Sequence, residues 1–282
     1  MDVSRITVIG AGQMGSGIAQ VAATAGLDVT LLDVSRDFAK KGLAAVEKGL
    51  SRAIDKGKLD PAEKDAVLAR IRAGADLSLA SGSDVVIEAV VENVDVKKDV
   101  FRKMDAILAS NAIIASNTSS ISITRLAAAT GRPDRIIGMH FMNPVPAMKL
   151  VEIISGQATS DQTRTTTWAL AEKMGKTPVA VSDYPGFVSN RLLMPMINEA
   201  AYCLMEGVAS REDIDTVMRL GMNHPMGPLA LADLIGLDTC LYIMEVLYEG
   251  FKDSKYRPCP MLRRMVDAGY LGKKVGRGFY TY

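Results

Sequence analysis

Short runs of apolar residues alternate with longer stretches of helical spacing through roughly the first 180 positions. The apolar runs are rich in Val and Ile, which is typical of buried strands. They lie at residues 6–9, 29–32, 85–88, 112–115, 136–139, 150–154 and 177–181. Helical spacing fills most of the intervals, at residues 14–25, 35–56, 61–70, 95–108 and 161–174. This alternation predicts an α/β domain with a mostly parallel sheet, into which residues 35–70 are inserted as a helical hairpin.

The pattern changes at residues 182–186, which have the composition of a turn. Apolar residues then recur at helical spacing at residues 187–206, 210–220, 228–248 and 261–268. We therefore predict two domains, a sheet domain at residues 1–183 and a smaller all-helical domain at residues 184–282. The apolar helices of the second domain suggest that it builds a homodimer.

Composition limits the classes of partner. The 282 residues include 33 basic and 32 acidic ones, which gives a net charge of +1. This charge gives no reason to expect a nucleic acid or a membrane surface as partner. Residues 6–27 carry no charge, but five glycines among them argue against a membrane span. Cys203, Cys240 and Cys259 have no metal or disulfide spacing. We expect a soluble, cytoplasmic protein without a metal site.

A glycine-rich turn follows the first predicted strand directly and opens a helix. It matches the pattern G-x-G-x-x-G, and a second strand follows the helix, which is the arrangement of a Rossmann-type dinucleotide site. The residues predicted to contact the cofactor here are Gly10, Ala11, Gly12, Gln13, Met14 and Gly15. In such a turn the first glycine makes the tight bend, the second lets the backbone approach the pyrophosphate, and the third lets the helix pack on the strand.

The second strand ends in Asp33. A carboxylate there accepts hydrogen bonds from the adenosine ribose and repels the 2′-phosphate of NADP. We therefore predict NAD in preference to NADP, although Arg36 lies close enough in sequence to weaken the exclusion.

Two histidines are candidates for the proton acceptor that an alcohol dehydrogenase needs. His140 follows the strand at 136–139 and begins a loop at the carboxyl edge of the sheet, where ligands bind in such folds. An imidazole titrates near neutrality and can therefore act as acid and base. The polar loop at residues 116–120 reaches the same edge, whereas His224 lies in a turn-rich connection and is interpreted as structural.

Six motifs together resemble the 3-hydroxyacyl-CoA dehydrogenase family. They lie at residues 116–120, 140–146, 149–152, 185–191, 225–228 and 272–280, so that the resemblance covers the whole chain. The short chain is most similar to the bacterial members that act on short substrates such as 3-hydroxybutyryl-CoA and acetoacetyl-CoA.

The resemblance implies a catalytic set. In it His140 is the general base, Glu152 pairs with the imidazole, and Ser119 and Asn190 hold the substrate oxygen. Because Asn190 belongs to the first helix of the second domain, the resemblance also implies an active site in the cleft between the domains. The further cofactor residues that it implies are Glu92, Lys97, Asn143 and Lys274.

An acyl-CoA substrate also requires local positive charge for its phosphates. Arg52 and Lys56 lie four residues apart in the hairpin, on one helical face. From spacing alone they could equally be a solvated face, and the resemblance favours a role in CoA binding, to which it adds Ser119. A carrier-binding serine of some relatives aligns with Gly49.

The sequence thus favours NAD-dependent interconversion of (S)-3-hydroxyacyl-CoA and 3-oxoacyl-CoA. Two alternatives remain. One is a related NAD-dependent dehydrogenase of a free hydroxy acid or sugar acid, and the other is a non-catalytic dinucleotide-binding redox sensor.

Overall fold

The computed structural model describes residues 2–282, which form two compact units. The first unit ends at Asp183 and the second begins at Tyr184. Each unit has its own hydrophobic core, which is built around a sheet in the first unit and around helices in the second.

The strands within residues 2–183 form a single sheet. They are β1 (Arg5–Ile9), β2 (Asp28–Leu32), β3 (Ile71–Gly74), β4 (Val85–Glu88), β5 (Ile113–Ser116), β6 (Ile136–Phe141), β7 (Leu150–Ser155) and β8 (Thr177–Ser182). The spatial order is β3-β2-β1-β4-β5-β6-β7-β8, and neighbours are parallel except for β6 and β7. The prediction of a mostly parallel sheet is confirmed. The carboxyl ends of β1, β4, β5 and β6 consequently meet at one edge.

The predicted set of strands lacks β3. This strand has only four residues, Ile-Arg-Ala-Gly, and only its first and last are buried. It pairs with β2 alone and forms the edge of the sheet. A short, half-polar edge strand has neither the apolar run nor the alternation that identifies a strand in a sequence.

Helices cover this sheet and form the inserted hairpin. They are α1 (Gln13–Thr24), α2 (Arg36–Asp55), α3 (Lys64–Ala69), α4 (Val94–Ile107), α5 (Ile123–Ala127) and α6 (Asp161–Lys173). The hairpin consists of α2 and α3, and α2 packs against α1. The Ser35 side chain caps α2 by accepting a hydrogen bond from the Phe38 amide.

The second unit is helical, as predicted. Its helices are α7 (Ser189–Met205), α8 (Arg211–Thr216), α9 (Pro228–Ile235), α10 (Leu237–Phe251) and α11 (Pro260–Asp267). The prediction of one helix at 228–248 is wrong, because Gly236 adopts a φ of +104° and separates α9 from α10. Among residues 2–282, no helix combines the length and the apolar character that a membrane crossing requires.

Candidate active site

The glycine turn at residues 10–15 has two glycines that the fold requires and one that it does not. Gly10 has a φ of +100°, and a β-carbon at this position would lie 2.5 Å from the Ala89 carbonyl oxygen. A β-carbon at Gly15 would lie 1.7 Å from the Gly10 carbonyl oxygen. By contrast, a β-carbon at Gly12 would meet no atom within 4 Å. Open space over Gly12, at the uncapped amino end of α1, fits the close approach of a dinucleotide pyrophosphate.

Asp33, just after β2, supports this turn. Its Oδ2 accepts a hydrogen bond of 2.6 Å from the Ala11 amide, and its Oδ1 accepts one of 2.7 Å from the Val34 amide. The carboxylate predicted to bind the ribose therefore also orients the backbone of the turn. This second role was missed, because no sequence pattern distinguishes it from the first.

His140 and Glu152 form a cross-strand pair. They lie directly opposite each other in the antiparallel ladder of β6 and β7. His140 Nδ1 lies 2.8 Å from Glu152 Oε2, and both residues are buried. A carboxylate can only accept a hydrogen bond, so the pair places the proton on Nδ1 and leaves Nε2 as the basic nitrogen. This is the arrangement of an imidazole prepared to take a proton.

The loop at residues 116–120 lies beside this pair. Asn117 Oδ1 accepts a hydrogen bond of 2.9 Å from the Phe141 amide, next to His140 in β6. Glu92 Oε1 accepts hydrogen bonds from the amides of Ser119 and Ser120, at 3.0 and 3.1 Å. It also accepts from the Thr118 and Ser120 hydroxyls. A single carboxylate thus fixes the backbone of the loop that carries Ser119.

An ion-pair network lies behind the loop, in which Glu88 and Lys97 are buried and Glu92 is partly exposed. Lys97 Nζ is 2.7 Å from Glu88 Oε1 and 3.2 Å from Glu92 Oε2. Burial raises the pKa of the Glu88 carboxyl despite the adjacent ammonium. Burial acts in the same direction on Glu92, but Lys97 and the hydroxyls of the loop outweigh it and lower the pKa of that carboxyl. The structure therefore places Glu92 and Lys97 together in this network, and their contact with the cofactor stays a prediction.

The loop after β6 is held from two sides. Asn143 Oδ1 accepts a hydrogen bond of 3.0 Å from Gln13 Nε2, which joins this loop to the glycine turn. The Lys176 ammonium, whose pKa is lowered by burial, donates to the carbonyl oxygens of Val145 and Met148. Lys176 is not identifiable from the sequence, since a single lysine before a strand carries no signal.

Arg52 and Lys56 line a cavity of about 710 Å³ between the hairpin, α1 and the loop after β6. Gly49 and Lys176 line it as well. Arg52 in the last turn of α2 and Lys56 immediately after this helix therefore line one cavity.

The remaining predicted residues lie in the second unit. Asn190 is buried in the first turn of α7, where its backbone N–H donates to the Gly186 carbonyl oxygen. Lys274 Nζ lies 2.6 and 2.7 Å from the two carboxylate oxygens of Asp238. The roles of both residues stay predictions.

Comparison with known proteins places this arrangement in a family. The model of the 3-hydroxyacyl-CoA dehydrogenase NAD binding domain matches residues 5–184, and the model of the C-terminal domain matches residues 186–282. A probable 3-hydroxybutyryl-CoA dehydrogenase of Bacillus subtilis is 60% identical, over 100% of this chain and 98% of the relative. The 3-hydroxybutyryl-CoA dehydrogenase of Bradyrhizobium diazoefficiens is 55% identical, over 99% of this chain and 96% of the relative.

A solved structure agrees with these relatives. The crystal structure of (S)-3-hydroxybutyryl-CoA dehydrogenase from Ralstonia eutropha superposes with a TM-score of 0.97 at 54% identity, covering 100% of this chain and 99% of that one. With family matches to both units and relatives similar over their full length, this chain belongs to the 3-hydroxyacyl-CoA dehydrogenase family, whose first domain binds NAD.

Proposed function

We propose that this chain interconverts (S)-3-hydroxybutyryl-CoA and acetoacetyl-CoA, with His140 as the general base. The observation that carries the proposal is the buried His140–Glu152 pair, at 2.8 Å, in the same unit as the glycine turn. The names of relatives that are 54% to 60% identical support the four-carbon substrate.

In the oxidative direction, His140 Nε2 takes the proton of the substrate hydroxyl. NAD, when bound, supplies the acceptor for the hydride that leaves the same carbon. The Glu152 carboxylate stabilises the imidazolium that forms and holds the ring in one tautomer. The Ser119 hydroxyl, which lies 3.4 Å from Glu92 Oε1 in this structure, turns to donate a hydrogen bond to the substrate oxygen, while Glu92 holds the Ser119 backbone amide. Asn190 has the same role in the prediction drawn from the family resemblance.

Steady-state kinetics with two pairs of reactants tests the proposal. Acetoacetyl-CoA and acetoacetate are each supplied with NADH, and the productive substrate is then tested with NADPH. We expect efficient reduction of the thioester with NADH only. Equal reduction of acetoacetate would favour the free hydroxy acid alternative, and NADH binding without any turnover would favour a redox sensor.

The basic residues of the cavity provide a first prediction. Replacing both Arg52 and Lys56 with Ala is expected to raise the KM for acetoacetyl-CoA about tenfold, since two exposed ion pairs with phosphate contribute up to about 1 kcal/mol each. The kcat should not change, because neither side chain touches the reacting atoms. Lys48→Ala is the matched control, as Lys48 is exposed on the same helix but does not line the cavity. An unchanged KM in the double variant would remove both residues from CoA binding.

We further propose a homodimer formed through the second unit. This unit exposes large apolar side chains, which mark protein interaction surfaces when they occur in numbers. They include Leu192, Val217, Leu220, Met222 and Leu234.

Oligomeric state supplies a second prediction. Leu220 is 79% exposed, and Leu220→Asp should convert the dimer into monomers in sedimentation velocity, because a charge would be buried at the interface. Val179→Asp is the control, on the exposed edge strand of the first unit. If Val179→Asp dissociates the dimer and Leu220→Asp does not, the interface belongs to the sheet domain instead.

The cysteines support a reducing compartment, and we propose the cytoplasm. Cys203, Cys240 and Cys259 are free thiols. Cys240 and Cys259 are buried. Burial raises the pKa of Cys240 to about 12, so that this thiol is unreactive at neutral pH.

A further inference from the structure

Glu88, the last residue of β4, is a fully buried carboxylate at 0% exposure. Both of its oxygens are engaged. Oε1 accepts hydrogen bonds of 2.7 Å from the Lys97 ammonium and of 2.7 Å from the Val90 amide. Oε2 accepts one of 2.7 Å from the Ser116 hydroxyl. A buried charge is costly, so such a site exists only where its partners hold it completely.

Two chains of hydrogen bonds lead from Glu88 to the loop of Ser119. Through Oε2, Glu88 orients the Ser116 hydroxyl, whose oxygen accepts a hydrogen bond of 3.1 Å from the Thr118 amide. Through Oε1, Glu88 fixes the Lys97 ammonium, which lies 3.2 Å from Glu92 Oε2. Glu92 Oε1 in turn accepts a hydrogen bond of 3.0 Å from the Ser119 backbone amide.

The charge balance makes Glu88 decisive for this arrangement. One ammonium serves two carboxylates, and Lys97 is itself only 1% exposed, so water cannot replace a lost partner. If Glu88 loses its charge, Glu92 becomes the sole anionic partner and draws Lys97 toward itself. A buried ion pair adds little net stability, whereas a residue behind the contacting residues controls their positions within fractions of an ångström.

We propose that Glu88 is a positioning residue of the reaction, which fixes Ser119 at the substrate oxygen through Lys97, Glu92 and Ser116. The inference rests on the proposed function, because it concerns the placement of the group that binds the substrate oxygen. Glu88 itself touches neither substrate nor cofactor in this account. The pKa directions of the two carboxyls agree with it, since Glu92 holds its negative charge more firmly than Glu88 does.

The test uses Glu88→Gln, which preserves the shape of the side chain and removes its charge. We expect the kcat for acetoacetyl-CoA reduction to fall about tenfold or more, since misplacement of a positioning group by about 1 Å can cost about 100-fold. The kcat is measured at saturating NADH, because Lys97 and Glu92 are also predicted cofactor contacts and their displacement should weaken NADH binding as well. Ser83→Ala is the matched control, because it removes a buried 2.7 Å side-chain hydrogen bond with Thr7 near the opposite end of the same strand. This control should retain the full kcat.

A double variant separates positioning from a general structural effect. In the Ser119→Ala background, Glu88→Gln should have almost no further effect on kcat, because the group that it positions is gone. Independent, multiplicative losses would overturn the inference, as would a kcat within about twofold of the unmodified enzyme in Glu88→Gln alone. If Glu88→Gln does not fold, Ser116→Ala tests the second chain of hydrogen bonds by the same criteria. Absence of acetoacetyl-CoA turnover in the unmodified enzyme would overturn the proposed function together with this inference, whereas normal turnover with an unaffected Glu88→Gln overturns the inference alone.

Discussion

Replacement of His140 by Gln is expected to lower the kcat for acetoacetyl-CoA reduction about 1,000-fold, within the range of about 100 to 10,000 typical of general acid–base catalysis. Glutamine fills a similar volume and can still bind the Glu152 carboxylate, which lies 2.8 Å from the imidazole. It cannot take up or release a proton at the reacting oxygen. The loss should therefore appear in kcat, measured as NADH consumption at saturating substrate.

NADH binding provides the control for this variant. The residues of the glycine turn and Asp33 do not depend on the imidazole for their hydrogen bonds, so the dissociation constant of NADH should remain within about twofold. Glu152→Gln should cost less than His140→Gln, because it leaves the base in place and removes only the charge that orients and stabilises it. Turnover that survives His140→Gln unchanged would show that another group transfers the proton.

The glycine turn and its acid could be predicted because their chemistry is local. The spacing of Gly10, Gly12 and Gly15 and the position of Asp33 lie within one strand-helix-strand unit, and the backbone of that unit sets their geometry. The glycine pattern alone does not show which glycines are required by packing and which leaves space for the cofactor. The structure shows that Gly10 and Gly15 are packed against backbone atoms while Gly12 faces open space.

The pairing of His140 with Glu152 could be predicted only through family resemblance. The two residues are 12 positions apart, and they meet because β7 runs antiparallel to β6 in an otherwise parallel arrangement. The connection at residues 142–149 is too short for a parallel crossover, so its length favours the reversal, but the register that sets His140 opposite Glu152 has no signal in the sequence. The family resemblance identifies Glu152 as the partner of His140, and the register of β6 and β7 explains why the two side chains meet.

The network behind Ser119 lay beyond sequence reasoning for a different physical reason. Glu88 reads as the polar end of an apolar strand and Lys97 as an exposed helical cation, since charged residues are rarely buried. Their burial is decided by tertiary packing, which places Lys97 of α4 against the carboxylate at the end of β4. Only the folded chain brings Glu88, Lys97 and Ser116 within hydrogen-bond distance.

Substitution by alanine at two glycines of the same turn should have different effects, on NADH binding at Gly12 and on stability at Gly15. Gly12→Ala is expected to raise the dissociation constant of NADH about 10- to 100-fold, as a methyl group in the space of the pyrophosphate costs about 1–3 kcal/mol. Its thermal stability should not fall, because Gly12 has a φ of −69° that alanine adopts readily and its β-carbon would meet no protein atom within 4 Å. Gly15→Ala should instead destabilise the first unit by about 4 kcal/mol or more, the range of the most disruptive single substitutions.

The reason for the contrast is the 1.7 Å approach of a β-carbon at Gly15 to the Gly10 carbonyl oxygen, a backbone atom that cannot move without opening the turn. Thermal unfolding and NADH titration on both variants measure the two effects separately. Ala22→Gly is the control for NADH binding, because Ala22 is a buried position of α1 that lies outside the glycine turn. If Gly12→Ala binds NADH as tightly as the unmodified protein does, the pyrophosphate does not approach the backbone at Gly12, and the binding role of the turn must then rest on Asp33 and the amino end of α1 alone.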